Sequence, residues 1–395
     1  MKLLTLLSGA CLLGCLISNA TFAQQAVRAR DLGIPLNGKT GKFNAITDVP
    51  GVKVGLTTLI SGEGDLQTGK GPVRTGVTAI LPRGNTYDPV FAGWYALNGN
   101  GEMTGTTWIT ESGFLEGPVT ITNTHSVGIV RDAVVEWQYK HKHFLPLEET
   151  DELFWALPIV AETYDGMLND INGMHVTKEH VFHALDSAAS GPVAEGSTGG
   201  GTGMVSHGFK AGTGTSSRVV RVGDSAYTVG VLVQANHGAF RHLMIAGVPM
   251  WPEMKTREWR MKFGEAKPGT GSIIVIVATD APLLPHQLNR IARRVALGVA
   301  RVGGMGENSS GDIFLAFSTA NPKASRRDVI PQLDMLPNDQ IDPLFTATVY
   351  ATEEAILNAI VAGRDMTGIN GNFVPGIPHA EIIRLLKKYS RYAGK

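Results

Sequence analysis

The glycine–serine step Gly271-Ser272 ends a polar, glycine-rich stretch and opens the apolar run Ile-Ile-Val-Ile-Val-Ala. A serine hydroxyl is a weak nucleophile unless a base stands beside it. If the peptide bond before Ser272 is cut, the residue's own α-amine, with a pKa near about 8, becomes available as that base. Glycine on the acyl side has no Cβ, which eases the close attack that self-cleavage requires. The chemistry these two residues suggest is acyl transfer. The Ser272 hydroxyl attacks the Gly271 carbonyl, an ester forms, and water releases it. Gly-Ser pairs are common, so spacing alone leaves this step one candidate among several.

The other candidates favour ordinary roles. Gly196-Ser-Thr-Gly-Gly-Gly-Thr-Gly lacks the Gly-Lys-Ser/Thr ending of a phosphate loop and reads as a close-packed loop. His175, His180 and His183 cluster near Asp186, but Val176, Val181 and Leu185 give that helix an ordinary packed face. A zinc site needs three or four ligands and a supporting shell, so no metal and no other cofactor is expected. His141 and His143 flank Lys142 at a helix end, where a solvated position is expected. Asn123-Thr-His-Ser could supply a His125–Ser126 pair, but a Thr or Ser cap before a helix starting near Val127 is favoured. No Gly-x-Ser-x-Gly elbow is present.

These residues need a framework of interleaved strands and helices, hence an α/β or α+β architecture. Short Val-, Ile- and Thr-rich runs predict strands over 52–59, 73–81, 119–122, 226–234, 272–278 and 313–318. Helices are predicted over 132–141, 177–190, 285–302 and 344–362. In the third, Leu288, Ile291, Ala292, Val295 and Val299 form one stripe; in the fourth, Thr348, Thr352, Ile356 and Ile360 do so. Residues 195–217 and 251–271 read as loops, and no internal repeat is visible.

Residues 1–23 have the layout of a secretory signal peptide, with Lys2, an apolar run and Thr21-Phe-Ala before the cut. A mature chain starting near Gln24, exported to the periplasm, is expected. Leu12-Leu-Gly-Cys15 loosely resembles a lipoprotein box and keeps a tether through Cys15 open as the rival. Both cysteines, Cys11 and Cys15, lie within this segment, so the mature chain has no thiol and no disulfide. The remaining length suffices for one large domain or two ordinary ones. Lys plus Arg and Asp plus Glu number 35 each, without a long single-sign run, which gives no support for a nucleic-acid or anionic-membrane partner.

Five further segments run in order through the chain. They are Gly41-Lys-Phe-Asn-Ala-Ile-Thr-Asp-Val-Pro-Gly-Val-Lys-Val-Gly, Ala161-Glu-Thr-Tyr-Asp-Gly-Met-Leu-Asn-Asp, Gln234-Ala-Asn-His-Gly, Gly271-Ser-Ile-Ile-Val-Ile-Val-Ala-Thr-Asp-Ala-Pro-Leu-Leu-Pro-His-Gln and Asn308-Ser-Ser-Gly-Asp-Ile-Phe-Leu-Ala-Phe-Ser-Thr-Ala-Asn. Together they resemble the beta-peptidyl aminopeptidases and the related L-aminopeptidase/D-Ala-esterase-amidases, over nearly the whole mature chain.

The resemblance implies a four-layer α/β/β/α sandwich, made as one precursor that cleaves itself into chains 24–271 and 272–395. It places the N-terminal nucleophile on Ser272, a supporting serine on Ser310 and an acidic partner on Asp312, one methylene shorter than the glutamate of the family pattern. Gly311 N–H and the Asn236 side chain fall on the oxyanion positions, Glu162 on the carboxylate that holds a substrate's amine, and Tyr164 on an active-site tyrosine. An asparagine NH2 with a glycine N–H suits an oxyanion, and a carboxylate suits an ammonium. The substrates implied are short peptides or amino-acid amides, with beta-amino acid residues a specialty, and the assembly a homo-oligomer, commonly a tetramer. Alternatives are an L-aminopeptidase with D-Ala amidase and esterase activity, an acyl transferase resembling the ornithine acetyltransferases, and an uncut exported binding protein. Ser309 or Ser310 remains the alternative nucleophile, cut after Asn308.

Overall fold

The computed structural model describes residues 27–147, 153–261 and 270–394. The expected signal segment, with Cys11 and Cys15, lies outside them. The strands are β1 (Lys53–Ser61), β2 (Val73–Leu81), β3 (Val90–Ala96), β4 (Phe114–Leu115), β5 (Val119–Asn123), β6 (Ile159–Thr163), β7 (Val205–Ser206), β8 (Phe209–Lys210), β9 (Thr213–Val222), β10 (Ser225–Asn236), β11 (Met244–Ile245), β12 (Val248–Pro249), β13 (Thr270–Thr279), β14 (Ser309–Ser318), β15 (Met366–Thr367) and β16 (Phe373–Val374). The helices are α1 (Thr106–Ser112), α2 (Val127–Lys140), α3 (Lys178–Asp186), α4 (Pro285–Val302), α5 (Asp342–Val361) and α6 (His379–Lys388).

Two sheets carry the architecture, ordered β1-β2-β5-β6 and β4-β3-β14-β13-β10-β9. Because strand side chains alternate, each sheet has two faces to bury. Ile80, Ile121 and Ile159 of the first sheet meet Leu232, Ile274, Ile276, Ile313 and Leu315 of the second in one apolar layer. The outer face of the four-stranded sheet, through Val77, Ala79 and Val160, is covered by Val130 and Val134 of α2 and Val181 and Leu185 of α3. The outer face of the six-stranded sheet, through Val231, Val233, Val275 and Phe314, is covered by Leu288, Ile291 and Val295 of α4 and Ile356 and Ile360 of α5. The result is the expected α/β/β/α sandwich.

Helix α4 runs over the expected 285–302, with Pro285 in its first turn and Gly303 in the left-handed conformation after its end. Its off-stripe Arg290 and Arg294 lie over the Phe345 ring. The expected stripe of α5 is buried, but so is nearly the whole helix. It runs beneath β9 and α4 and carries Glu354 inward, where Arg30, Arg218 and Asn44 pair with it.

Several sequence expectations are corrected. Residues 213–217, read as loop, belong to β9. Gly214 lets α5 lie directly on that strand, since a Cβ there would stand 2.1 Å from the Ala355 carbonyl. Helix α2 starts at Val127, as the cap reading expected and earlier than the Asp132 of the predicted range. The 3-10 turn Thr124–Ser126 before it is capped by Asn123, whose Oδ1 accepts from His125 N and Ser126 N, both at 3.0 Å. Ser126 thus holds the expected N-cap position, but the side-chain capping bonds come from Asn123, one 3-10 turn earlier. Helix α3 stops at Asp186 because Ala189 leaves to bridge Val54. His143 is buried against Trp137 and Tyr87, contrary to the solvated position expected, and burial lowers its pKa to about 4. Of the segment read as loop over 251–271, residues 262–269 lie outside the described residues, and Thr270-Gly271 already belong to β13.

His175, His180 and His183 turn to separate partners: Asp170 at 2.8 Å, the Thr177 amide at 3.1 Å and the Thr57 hydroxyl at 3.0 Å. Among the described residues no group of three or more His, Cys, Asp or Glu could hold a metal.

His207 and His237 lie buried behind β10, ring centroids 5.1 Å apart, and neither ring nitrogen of His237 has a hydrogen-bond partner. Burial lowers their pKa values to about 3 and about 4. The unfolded chain, with histidine near its ordinary value of about 6.5, takes up protons that the folded chain refuses. The stability these groups contribute is therefore present above about pH 6.5 and is lost as pH falls, through about 4 for His237 and about 3 for His207. For His237 the loss is on the order of 3 kcal/mol. Thermal unfolding followed from pH 7 to 4 is expected to show a falling Tm, with a shallower fall in His237→Leu.

Candidate active site

Strand β13 lies between β10, antiparallel, and β14, parallel. The register sets Ser272 opposite Asn236 on one side and opposite Gly311 on the other. Gly311 N–H donates to Ser272 Oγ at 3.1 Å. Alternation turns Ser272 and Asn236 towards the layer between the sheets, with Ile274, Ile276 and Leu232. Gly271 faces the other way and is pressed onto β10, where a Cβ would stand 2.4 Å from the Asn236 carbonyl oxygen. Glycine before Ser272 is thus demanded by packing in the sheet, in addition to the freedom of attack inferred from sequence.

Ser310 pairs across the sheet with Gly271. Its hydroxyl donates to Asp312 Oδ1 at 2.6 Å, so the shorter aspartate reaches it. Alternation places this pair on the helix-facing side with Phe314 and Ala316, beside the peptide unit joining Gly271 to Ser272. Asp312 is buried, and burial raises its pKa, opposed by the hydrogen bonds from Ser310 and Asn98. Asn98 clasps this residue at two points. Its Oδ1 accepts from Asp312 N at 2.6 Å, and its Nδ2 donates to Asp312 Oδ2 at 3.3 Å. Asn98→Ala is expected to lower kcat about tenfold with little change in KM, because a carboxylate with a lost partner holds Ser310 less firmly. Steady-state kinetics check this, and an unchanged kcat would remove Asn98 from the network.

Asn236 Oδ1 accepts from Val205 N at 2.8 Å, and its Nδ2 donates to the Tyr164 carbonyl at 2.9 Å. These two bonds orient the amide and leave its second N–H available. Tyr164 contributes its backbone here, while its side chain is about half exposed. Glu162, at the end of β6, is only 3% exposed. Glu102 N donates to its Oε1 at 3.0 Å, and Thr124 Oγ1 donates to its Oε2. Burial raises the pKa of Glu162, and these two donors oppose the rise. The carboxylate stands close to the serine, since a Cβ on Gly101 would lie 3.0 Å from Gly311 Cα and 3.4 Å from Glu162 Oε1.

The tertiary structure thus gathers Ser272, Ser310, Gly311, Asp312, Asn236 and Glu162, with the Tyr164 backbone, at one end of the two sheets. Ser309 pairs with Thr270, one step further from Ser272 than Ser310. The sequence reading missed Asn98, Thr124 and the segment 97–104. Asn98-Gly-Asn-Gly carries only an ordinary turn signal, and Thr124 was visible solely as a possible cap.

A nucleophile-sized hydroxyl with a backbone donor upon it, beside a buried carboxylate able to hold an amine, suits hydrolysis at a free N-terminus. Comparison with known proteins agrees. Residues 44–374 match the family described as peptidase family S58. The chain is 53% identical over 391 residues to the beta-peptidyl aminopeptidase BapA of Sphingosinicella microcystinivorans, covering 96% of each. The L-aminopeptidase D-Ala-esterase/amidase of Ochrobactrum anthropi, a prototype for the serine aminopeptidases and a variant of the Ntn hydrolase fold, superposes with a TM-score of 0.84 at 47% identity, over 93% of this chain and 99% of that one. A Burkholderia beta-aminopeptidase gives 0.80 at 47% identity, over 92% and 99%. The chain belongs to peptidase family S58 and is a serine aminopeptidase on the N-terminal-nucleophile hydrolase fold.

Proposed function

We propose that this protein cuts its own Gly271–Ser272 bond and then uses Ser272 to remove N-terminal residues, beta-amino acids above all, from short peptides and amides. The observation that carries the reading is Gly311 N–H on Ser272 Oγ, with Ser310 and Asp312 beside the bond to be cut. In the first step Ser272 Oγ bonds to the Gly271 carbonyl carbon, the C–N bond breaks and the nitrogen takes the proton. Water then hydrolyses the ester, leaving chains 24–271 and 272–395. The new α-amine lies beside Ser310, which with Asp312 orients it. In each turnover the amine accepts the hydroxyl proton and returns it to the leaving amine, Gly311 N–H and the Asn236 amide hold the oxyanion, and Glu162 holds the substrate's ammonium. Water releases the acyl group. No step needs a cofactor.

Beta preference is supported by the beta-peptidyl aminopeptidase and beta-aminopeptidase among the relatives, and the Ochrobactrum enzyme supports an L-alpha preference as the second reading. Beta-homo and L-alpha p-nitroanilides assayed side by side discriminate them, and a dominant L-alpha rate would replace the first reading with the second. Export is supported by the signal-like residues 1–23. Assembly into homo-oligomers is supported by exposed Leu145, Leu147, Leu153, Trp155, Val329 and Ile330, in two segments joined where Arg327 donates to the Pro146 carbonyl.

A further inference from the structure

Segment 97–104 crosses from one sheet to the other within the site. At its start Leu97 N donates to the Asp312 carbonyl at 2.9 Å, and Asn100 N to the Ser310 carbonyl at 3.2 Å, which fastens it to β14. At its end Glu102 N holds Glu162, and Thr104 N donates to the Val160 carbonyl at 3.0 Å, which fastens it to β6. Between these ties two glycines lie backbone to backbone. A Cβ on Gly311 would stand 2.6 Å from Gly101 Cα, and a Cβ on Gly101 would touch both Gly311 Cα and Glu162 Oε1. A side chain on Gly101 would therefore enter the space between Gly311 and the Glu162 carboxylate, which its absence leaves free.

We propose that Gly101 is a specificity-determining residue: segment 97–104 sets the distance between the acyl-attack point and the amine anchor, and with it how many carbons a substrate places between its amine and its scissile carbonyl. The inference rests on the roles given above to Glu162 and Gly311. An alpha-residue places one carbon there and a beta-residue two, so a small change in this distance acts oppositely on the two classes. A methyl at position 101 would stand 3.0 Å from Gly311 Cα, tighter than ordinary contact, so the backbone must give by a few tenths of an ångström. The segment must retreat from β14, and Glu102 N–H with Glu162 follows it, which lengthens the spacing.

The test uses the full-length, self-processed enzyme, with beta-homo and L-alpha p-nitroanilides of the same side chain. Gly101→Ala is expected to raise the ratio of beta to alpha kcat/KM by roughly tenfold, the scale on which one methylene is discriminated. An unchanged ratio, whether both rates fall together or neither moves, overturns the proposal. Where Gly101→Ala fails to yield two chains, Glu162→Asp carries the test, because it draws the anchor back by one methylene from the other side. It is expected to move the ratio in the same direction, and an equal loss for both classes overturns the proposal. Glu162→Gln separates this failure from that of the underlying reading: if it leaves the KM for amine-bearing substrates unchanged, the anchor itself is wrongly assigned.

Discussion

Ser272→Ala is expected to accumulate as a single uncut chain and to lose roughly 10^5-fold or more in kcat/KM, the scale of removing a serine nucleophile. Two losses coincide in this variant. The hydroxyl that attacks Gly271 is gone, so the bond stays closed, and the α-amine that would serve as base remains locked in a peptide. The fold should survive, because Ser272 contributes a small side chain whose hydroxyl accepts one weak hydrogen bond, from Gly311 N–H. Intact-mass measurement and circular dichroism on the same sample check both halves. Continued cleavage before residue 272 would show that another group performs the attack, and cleavage after Asn308 would move the nucleophile to Ser309.

Glu162→Gln is expected to raise KM for free-amine substrates by roughly 10- to 100-fold while the variant still processes itself. The charge-assisted hydrogen bond to an ammonium is worth about 1.5–3 kcal/mol, and each 1.4 kcal/mol is about tenfold. The amide keeps the shape of the carboxylate but sets an NH2 against Thr124 or the Glu102 N–H, which both donate to the native side chain. An N-acetylated substrate has no ammonium to lose. It should be poor with the native enzyme and no poorer with the variant, and an equal loss on both substrates would reduce Glu162 to a structural group.

The pH dependence follows from the same residue. Glu162 must be ionised to hold an ammonium, and burial raises its pKa above the ordinary carboxylate value. As pH falls through that pKa the carboxylate becomes neutral and the anchor is lost, in addition to protonation of the Ser272 amine at higher pH. The acid limb of log kcat/KM is therefore expected to approach a slope of two in the native enzyme and of one in Glu162→Gln. Identical slopes would exclude Glu162 as the second titrating group.

Much of this protein is legible along the chain because it depends on local pattern. The boundaries of β2 and α4 fall where periodicity sets them, at Val73–Leu81 and Pro285–Val302. Alternation and helical stripes are properties of neighbouring residues, so they survive without knowledge of the partner. The same holds for the ordered segments that marked the family.

What the sequence left open is governed by residues far apart along it. Strand β9 hid as a glycine-rich loop because Gly214 is explained only by Ala355 across the layer. Asn98 and Thr124 carry no chemistry of their own; they acquire roles from Asp312 and Glu162, which folding brings to them. The side of the sheet on which Ser310 stands is decided by its pairing with Gly271, since a shift by one residue would turn it to the other face. Sequence by itself determined the family pattern, which singles out Ser272 as the proposed nucleophile. Only the tertiary structure decided what surrounds it, because sheet register and the contact of two backbones at Gly101 and Gly311 exist only after distant segments have packed.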